Sequence, residues 1–263
     1  MIVGLVGAGN MAAALALGWA SAETGPDRVV ISDLDAERVR SLADRSGAHT
    51  AGSNAELAES ADVLVLATKP AALAAVAEDT RVTVADRGLP VVSILGGVPT
   101  AAIEEAYGPG TPVLRFMPNV AAEVRAGTFC YSPGSTIDSR TLQSLLDLFG
   151  LLGELVPVEE RLMDAATAIS GCGPAFFALI VESLTDAGVK EGLDARQAGR
   201  LALTTMAGTA ELLRKRDPVS LRRAVTSPGG VTAAGVAQLE DYRVRAAFGA
   251  AVEAAVGRAR GNA

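Results

Sequence analysis

The chain has 263 residues, of which 49% are hydrophobic, 20% charged and 4% aromatic, and its net charge is −7. That composition is globular, not disordered, and the acidity excludes a nucleic-acid role, which needs a basic surface to displace counterions. Its two cysteines, Cys130 and Cys172, are too few for a disulfide framework and show no metal-ligand spacing, so a reducing cytoplasm and no bound metal are expected.

Ile2–Val6 is a short apolar run that stops at glycine and reads as a buried strand; residues 11–22 then read as a helix. The apolar start imitates a signal peptide. It lacks the positive beginning such a peptide needs, its first charge being Glu23, and Gly7, Gly9 and Asn10 interrupt it. No uninterrupted apolar stretch reaches the roughly 18 residues of a membrane span, so no membrane association is expected.

Residues 29–32 form a second strand ending at Asp33, and Ala36–Ser46 is an amphipathic helix with Val39, Leu42 and Ala43 on one side. Residues 63–67 and 91–95 are a third and a fourth clear strand; 113–116 and 128–131 are weaker ones. Continuous apolar strands alternating with helices predict a parallel sheet covered on both faces. The texture changes after about residue 158. Residues 162–167, 175–187, 195–214 and 236–260 read as helices, and strand patterns become scarce. The predicted fold class is α/β: a doubly wound parallel-sheet domain over residues 1–157, then an all-α domain over 158–263.

Gly7-Ala8-Gly9-Asn10-Met11-Ala12 follows the first strand and opens the first helix, matching G-x-G-x-x-G/A. The first glycine permits the tight turn, the second lets backbone approach a pyrophosphate, and the small last residue lets helix and strand pack closely. Free amides at the helix start then face the phosphates. A glycine-rich turn alone is weak evidence; its position between strand and helix makes it a dinucleotide-binding, Rossmann-type motif. Asp33 ends the second strand, where an acid binds the ribose 2′-hydroxyl of NADH and repels the 2′-phosphate of NADPH. It also reads as a helix N-cap, and the two roles can coexist. On this charge alone NADH is favoured over NADPH.

Further segments carry a family resemblance: Ala67-Thr68-Lys69-Pro70, Arg115-Phe116-Met117-Pro118-Asn119, Ser170-Gly171-Cys172-Gly173-Pro174-Ala175 and Thr226-Ser227-Pro228-Gly229-Gly230-Val231-Thr232. With the glycine loop they resemble the pyrroline-5-carboxylate reductases over nearly the whole chain, the last two most specifically. The resemblance implies a helical domain that interlocks with its twin in a homodimer, in a family whose dimers often assemble further. It implies cofactor contacts at Asn54, Ala67, Thr68, Lys69, Pro70 and Asn119, beside Gly7, Ala8, Gly9, Asn10, Met11 and Asp33. It places the substrate carboxylate on the amides of the Ser227, Gly229, Gly230 and Val231 segment, with Cys172 in the substrate region and the Thr232 hydroxyl near the ring nitrogen. The chain departs from the family at Val120-Ala121, at Cys172, where serine is usual, and at Lys215.

The chemistry agrees with an imine substrate. Hydride transfer to a carbonyl leaves an alkoxide and calls for a strong proton donor, commonly His or Lys. The lone histidine, His49, reads as an exposed loop residue. The lysines are Lys69, Lys190 and Lys215, and none falls at the start of the helix from Gly173, where related hydroxyacid dehydrogenases carry theirs. An imine nitrogen can be protonated before reaction, so a threonine hydroxyl and backbone amides suffice to orient and bind it. Cys172, with no second Cys or His close in sequence, reads as an inert packed thiol before a redox one. The expected function is NAD(P)H-dependent reduction of (S)-1-pyrroline-5-carboxylate to L-proline. The alternatives are another cyclic imino acid, for which the departures speak, or a regulatory nucleotide-binding protein without turnover, against which the intact Gly229-Gly230-Val231-Thr232 segment speaks.

Overall fold

The computed structural model describes residues 1–261 and divides by its contacts into two compact units: Met1–Cys172 together with the chain from Val256 onward, and Gly173–Ala255. Six strands of the first unit run parallel: β1 (Ile2–Val6), β2 (Arg28–Ser32), β3 (His49–Thr50), β4 (Val63–Leu66), β5 (Val91–Ser93) and β6 (Val113–Met117). β7 (Gly127–Pro133) is antiparallel to β6, and β8 (Gly153–Pro157) is parallel to β7. They form one sheet in the order β3-β2-β1-β4-β5-β6-β7-β8.

Around it lie α1 (Asn10–Ala20), α2 (Ala36–Ser46), α3 (Asn54–Ser60), α4 (Leu73–Arg87), α5 (Thr100–Tyr107), α6 (Ser139–Gly150) and the short α7 (Met163–Ala166). Every residue of β4 is buried, as a strand covered on both faces requires. One layer packs Ala12, Leu15 and Trp19 of α1 with Leu145 and Phe149 of α6. Phe149 lies 4.5 Å from the Phe116 ring and 5.3 Å from Trp19, whose Nε1 donates to the Leu148 carbonyl at 3.1 Å. The opposite layer packs Leu57, Val76, Val84, Ile103 and Tyr107 from α3, α4 and α5.

The sheet is therefore mixed, where the strand pattern predicts a parallel one. Between β6 and β7 the chain makes only a short 3₁₀ turn, Val120–Val124. A parallel crossover needs roughly a dozen residues or more, so the chain must return antiparallel. β3 and β8 escape the apolar-run criterion for a different reason: both lie at sheet edges, and β3 is two exposed residues. His49 accordingly sits on an exposed edge strand, not in a loop.

The sequence texture changes at 157/158, whereas the contacts divide the chain at Cys172/Gly173. Hydrogen bonds hold the intervening segment to the sheet. Arg115 Nη1 on β6 donates to Glu160 at 2.6 Å, and Asn119 Nδ2 donates to the Ser170 carbonyl at 3.1 Å. That carbonyl belongs to a π-helical turn, Thr167–Gly171.

The second unit contains α8 (Gly173–Lys190), α9 (Ala195–Leu213), α10 (Pro218–Ala224), α11 (Val231–Asp241) and the beginning of α12 (Val244–Ala259). Asp194 caps α9 by accepting from the Gln197 amide at 2.9 Å, and Asp217 caps α10 through the Ser220 amide at 3.0 Å. The predicted helix over 236–260 is two helices. They part at Tyr242 and Arg243, the latter with φ +55, and α11 starts early enough to take Val231 and Thr232 into its first turn. Among the described residues of this unit only Gly173, Ala198, Ala202 and Leu221 are buried. Phe177, Leu184, Leu201 and Leu239 are each more than half exposed, at 59%, 56%, 56% and 55%. The helical run Glu160–Lys190 is, by length and a mean hydropathy of 1.5, apolar enough to cross a membrane, which the sequence reading did not expect. The end of α12, from Val256, returns to the first unit, where Arg260 lies 3.6 Å from Asp164.

Candidate functional site

The strand order reverses between β1 and β4, and open α/β sheets bind ligands at the carboxyl ends of strands flanking such a point. A cleft of about 540 Å³ opens there, lined among others by Gly7, Gly9, Asn10, Met11, Asp33, Asn54, Ala67, Thr68 and Lys69. Nine of the residues expected at a cofactor thus come together from four separated segments.

Gly7 turns with φ +110 and donates its amide to the Ser32 carbonyl at 2.7 Å. A Cβ there would lie 2.6 Å from the Ala67 carbonyl oxygen, so only glycine lets β1 and the exit of β4 approach so closely. Gly9 precedes α1 with no side-chain cap, a Cβ on it would meet nothing within 4 Å, and the first turn carries no acid. The first amides of α1 are consequently free, next to bare backbone, which fits the pyrophosphate of a dinucleotide.

Asp33 is not the N-cap of α2; Asp35 fills that place, accepting from the Glu37 and Arg38 amides. The Asp33 carboxylate instead braces the glycine loop: Oδ2 accepts from the Ala8 amide at 2.7 Å and Oδ1 from the Asp35 amide at 2.9 Å. Asn54 opens α3. Its Oδ1 accepts from the buried Ser32 hydroxyl at 2.7 Å, and its Nδ2 donates to Asp79 at 2.9 Å. After β4, Pro70 starts a 3₁₀ turn, Pro70–Ala72, that leads into α4.

Three expected contacts stand apart from the cleft lining. Ala8 lines a neighbouring groove with Arg38 and Arg45, and Pro70 shapes the turn. Asn119 spends its side chain internally, Oδ1 accepting from the Ala121 and Thr128 amides at 3.2 and 3.3 Å while Nδ2 holds Ser170. The sequence reading missed Ala72, Ala75, Val76 and Asp79, which line the cleft from α4 and the residue before it. Their i, i+3, i+4, i+7 spacing marks one helical face, a pattern that a packed core face shares.

In the second unit Ser227-Pro228-Gly229-Gly230 forms a type II turn. The Gly230 amide donates to the Ser227 carbonyl at 3.0 Å, Pro228 takes the second position, and Gly229 in the third has φ +70. The turn delivers the chain into α11, whose N-cap is Gly230 with no side-chain hydrogen bond. Val231 and Thr232, the first helical residues, are exposed. The result is a free, positively polarised helix end with glycine before it, suited to a carboxylate. Cys172 is half-buried at the end of the π-helical turn, its amide donating to the Thr167 carbonyl at 3.1 Å. Among the described residues no group of three or more His, Cys, Asp or Glu is placed to hold a metal ion.

A glycine-loop cleft at the switch point of a doubly wound sheet, with a carboxylate closing β2, defines a dinucleotide-binding protein of the Rossmann class. A family model described as pyrroline-5-carboxylate reductase dimerisation matches residues 160–262, and one described as NADP oxidoreductase coenzyme F420-dependent matches residues 2–97. The pyrroline-5-carboxylate reductase of Methanosarcina acetivorans is 36% identical over 249 residues, covering 94% of this chain and 92% of its own; that of Synechocystis is 37% identical over 261 residues, covering 98% and 97%. The crystal structure of Plasmodium falciparum pyrroline carboxylate reductase with NADP bound superposes with a TM-score of 0.90 at 32% identity, covering 100% of this chain and 98% of that one. The chain belongs to the pyrroline-5-carboxylate reductase family. A prephenate dehydrogenase from A. aeolicus, at 13% identity and a TM-score of 0.57, shares the fold alone.

Proposed function

We propose that this chain reduces (S)-1-pyrroline-5-carboxylate to L-proline, taking hydride from a reduced nicotinamide dinucleotide held in the cleft of the first unit. The observation that carries the reading is the type II turn that runs uncapped into α11, in a chain that belongs to this family over nearly its whole length. The amides at Gly229 and Val231 bind the substrate carboxylate, Gly230 closing the turn with its own amide, and the Thr232 hydroxyl orients the ring nitrogen. The reduced nicotinamide supplies the hydride. An iminium brings its own proton, so the residues need only bind, align and exclude water, with no strong acid among them.

NADH is the preferred cofactor, because Asp33 keeps a negative charge at the end of β2. Each of its oxygens has accepted one amide and has a lone pair left for a ribose hydroxyl, whereas a 2′-phosphate meets like charge. The protein works in the cytoplasm as a homodimer through its helical unit, whose exposed apolar side chains are too many for a free surface. The apolar run Glu160–Lys190 belongs to that interface by this reading, not to a membrane.

The test is a turnover assay with pyrroline-5-carboxylate and each reduced dinucleotide. Formation of proline with matching oxidation of the dinucleotide is expected. No turnover overturns the reading, and faster turnover of the six-membered cyclic imino acid would change the substrate and keep the chemistry.

A further inference from the structure

Of the two carboxylates in the cofactor cleft, Asp79 is the less compensated. Both Asp33 oxygens accept backbone amides, at 2.7 and 2.9 Å. Asp79 accepts only the Asn54 side-chain amide, at 2.9 Å, and among the described residues it has no cation within ion-pair distance. The cations of the cleft are Arg38, whose Nε is tied to Asp35 at 3.1 Å, and Lys69.

Asp79 also determines which way Asn54 faces. An ionised carboxylate can only accept, so the amide nitrogen must face Asp79 and Oδ1 must face the Ser32 hydroxyl, 2.7 Å away. Ser32 is 3% exposed and immediately precedes Asp33, which couples the end of β2 to α4 through Asn54. The amide retains one N–H and one lone pair for a ligand. From this arrangement we propose that Asp79 is a second specificity-determining residue for the dinucleotide: it fixes Asn54 for the adenosine end and, by its charge, raises the barrier to a 2′-phosphate beyond what Asp33 imposes. The inference rests on the dinucleotide reading of the cleft and does not depend on the identity of the imine.

The charge term and the orienting term separate in one substitution. Asp79→Asn removes the charge and retains an oxygen that can accept from Asn54. Binding of NADH and NADPH is titrated directly by the change in nicotinamide fluorescence, without substrate, for the wild type, Asp79→Asn and Asp79→Ala. In Asp79→Asn the NADPH Kd should fall about tenfold while the NADH Kd stays within about threefold, since only the 2′-phosphate gains from removing a like charge. The gain should shrink as salt rises from about 0.05 to 0.5 M, because an exposed charge is screened. Asp79→Ala frees Asn54 as well, so NADH should also weaken, by about three- to tenfold for one lost orienting hydrogen bond. A residue with a merely structural role would weaken both dinucleotides equally in both variants; that result, or an unchanged NADPH Kd in Asp79→Asn, overturns the inference and leaves the cofactor reading intact. Failure of the wild type to bind either dinucleotide overturns both.

Discussion

The carboxylate of Asp33 reaches back from the end of β2 to accept the Ala8 amide at 2.7 Å, so one side chain sets both the charge of the cleft and the shape of its glycine loop. Asp33→Asn can accept from only one of the two amides that the carboxylate now satisfies. NADH binding should weaken by about tenfold, for one charge-assisted hydrogen bond lost, and the preference over NADPH should narrow. The ratio of kcat/KM for the two cofactors is the measurement. A wild-type enzyme tenfold better with NADPH would show that this carboxylate does not select the cofactor.

Thr232 is exposed in the first turn of α11, and its hydroxyl makes no hydrogen bond with the described residues. Thr232→Ala leaves the amides of Gly229 and Gly230 in place. It should lower kcat/KM for the imine roughly 10- to 100-fold, as one oriented hydrogen bond would, with NADH affinity unchanged. Thr232→Ser should recover most of the activity. An alanine variant as fast as the wild type would leave the proton to water or to the substrate.

Light scattering at micromolar concentration should give at least a dimer's mass. Leu184 on α8 is 56% exposed in the single chain. Leu184→Glu would bury a charge in the interface and should weaken association at least about 100-fold, since an uncompensated buried charge costs several kcal/mol. A monomeric wild type would require another explanation for the apolar surface.

Alkaline pH should destabilise the first unit through Tyr107. Burial pushes its phenol up to about 12, against the ordinary 10.0. The Thr80 hydroxyl donates to the Val76 carbonyl at 2.7 Å, so the phenol is the donor in the 3.1 Å contact between the two side chains. Because the folded value is raised, the protonated form's stabilising contribution is complete below pH 10 and is lost as pH rises through 12. The loss should be on the order of 2–3 kcal/mol. Tyr107→Phe should flatten this limb of the stability curve in chemical denaturation between pH 9 and 12. An identical limb in both proteins would remove Tyr107 as its cause.

Asn119 offers a test of stability against binding. Asn119→Ala strands the Ser170 carbonyl and the Ala121 and Thr128 amides, and should cost about 2–3 kcal/mol. NADH affinity should remain within about threefold, since the lost bonds are internal ones. A large loss of affinity at unchanged stability would make Asn119 a cofactor contact after all.

The dinucleotide half of the fold was legible because its signals are local. Gly7 marks a turn that other residues cannot make, and β1 and β4 are continuous apolar runs. β3, β8 and the reversal at β7 were not, because edge strands lack buried periodicity and strand direction depends on connection length. Asp79 was hidden in a helix whose lining face repeats at the ordinary spacing of a packed helix. The break at Arg243 left no mark either: arginine in a left-handed conformation carries no compositional signal, and the apolar spacing runs on across it.

The return of α12 to the first unit at Val256 imposes an order on synthesis. A ribosome releases the sheet and its two layers early, but the Arg260 contact to Asp164 cannot form until the whole helical unit has emerged. The nascent dinucleotide-binding unit must therefore wait, incomplete at Asp164, while the helices of the second unit are made. A chain cut before Val256 would lose contacts from the cofactor-binding unit and not only from the helical one, Arg260 to Asp164 among them.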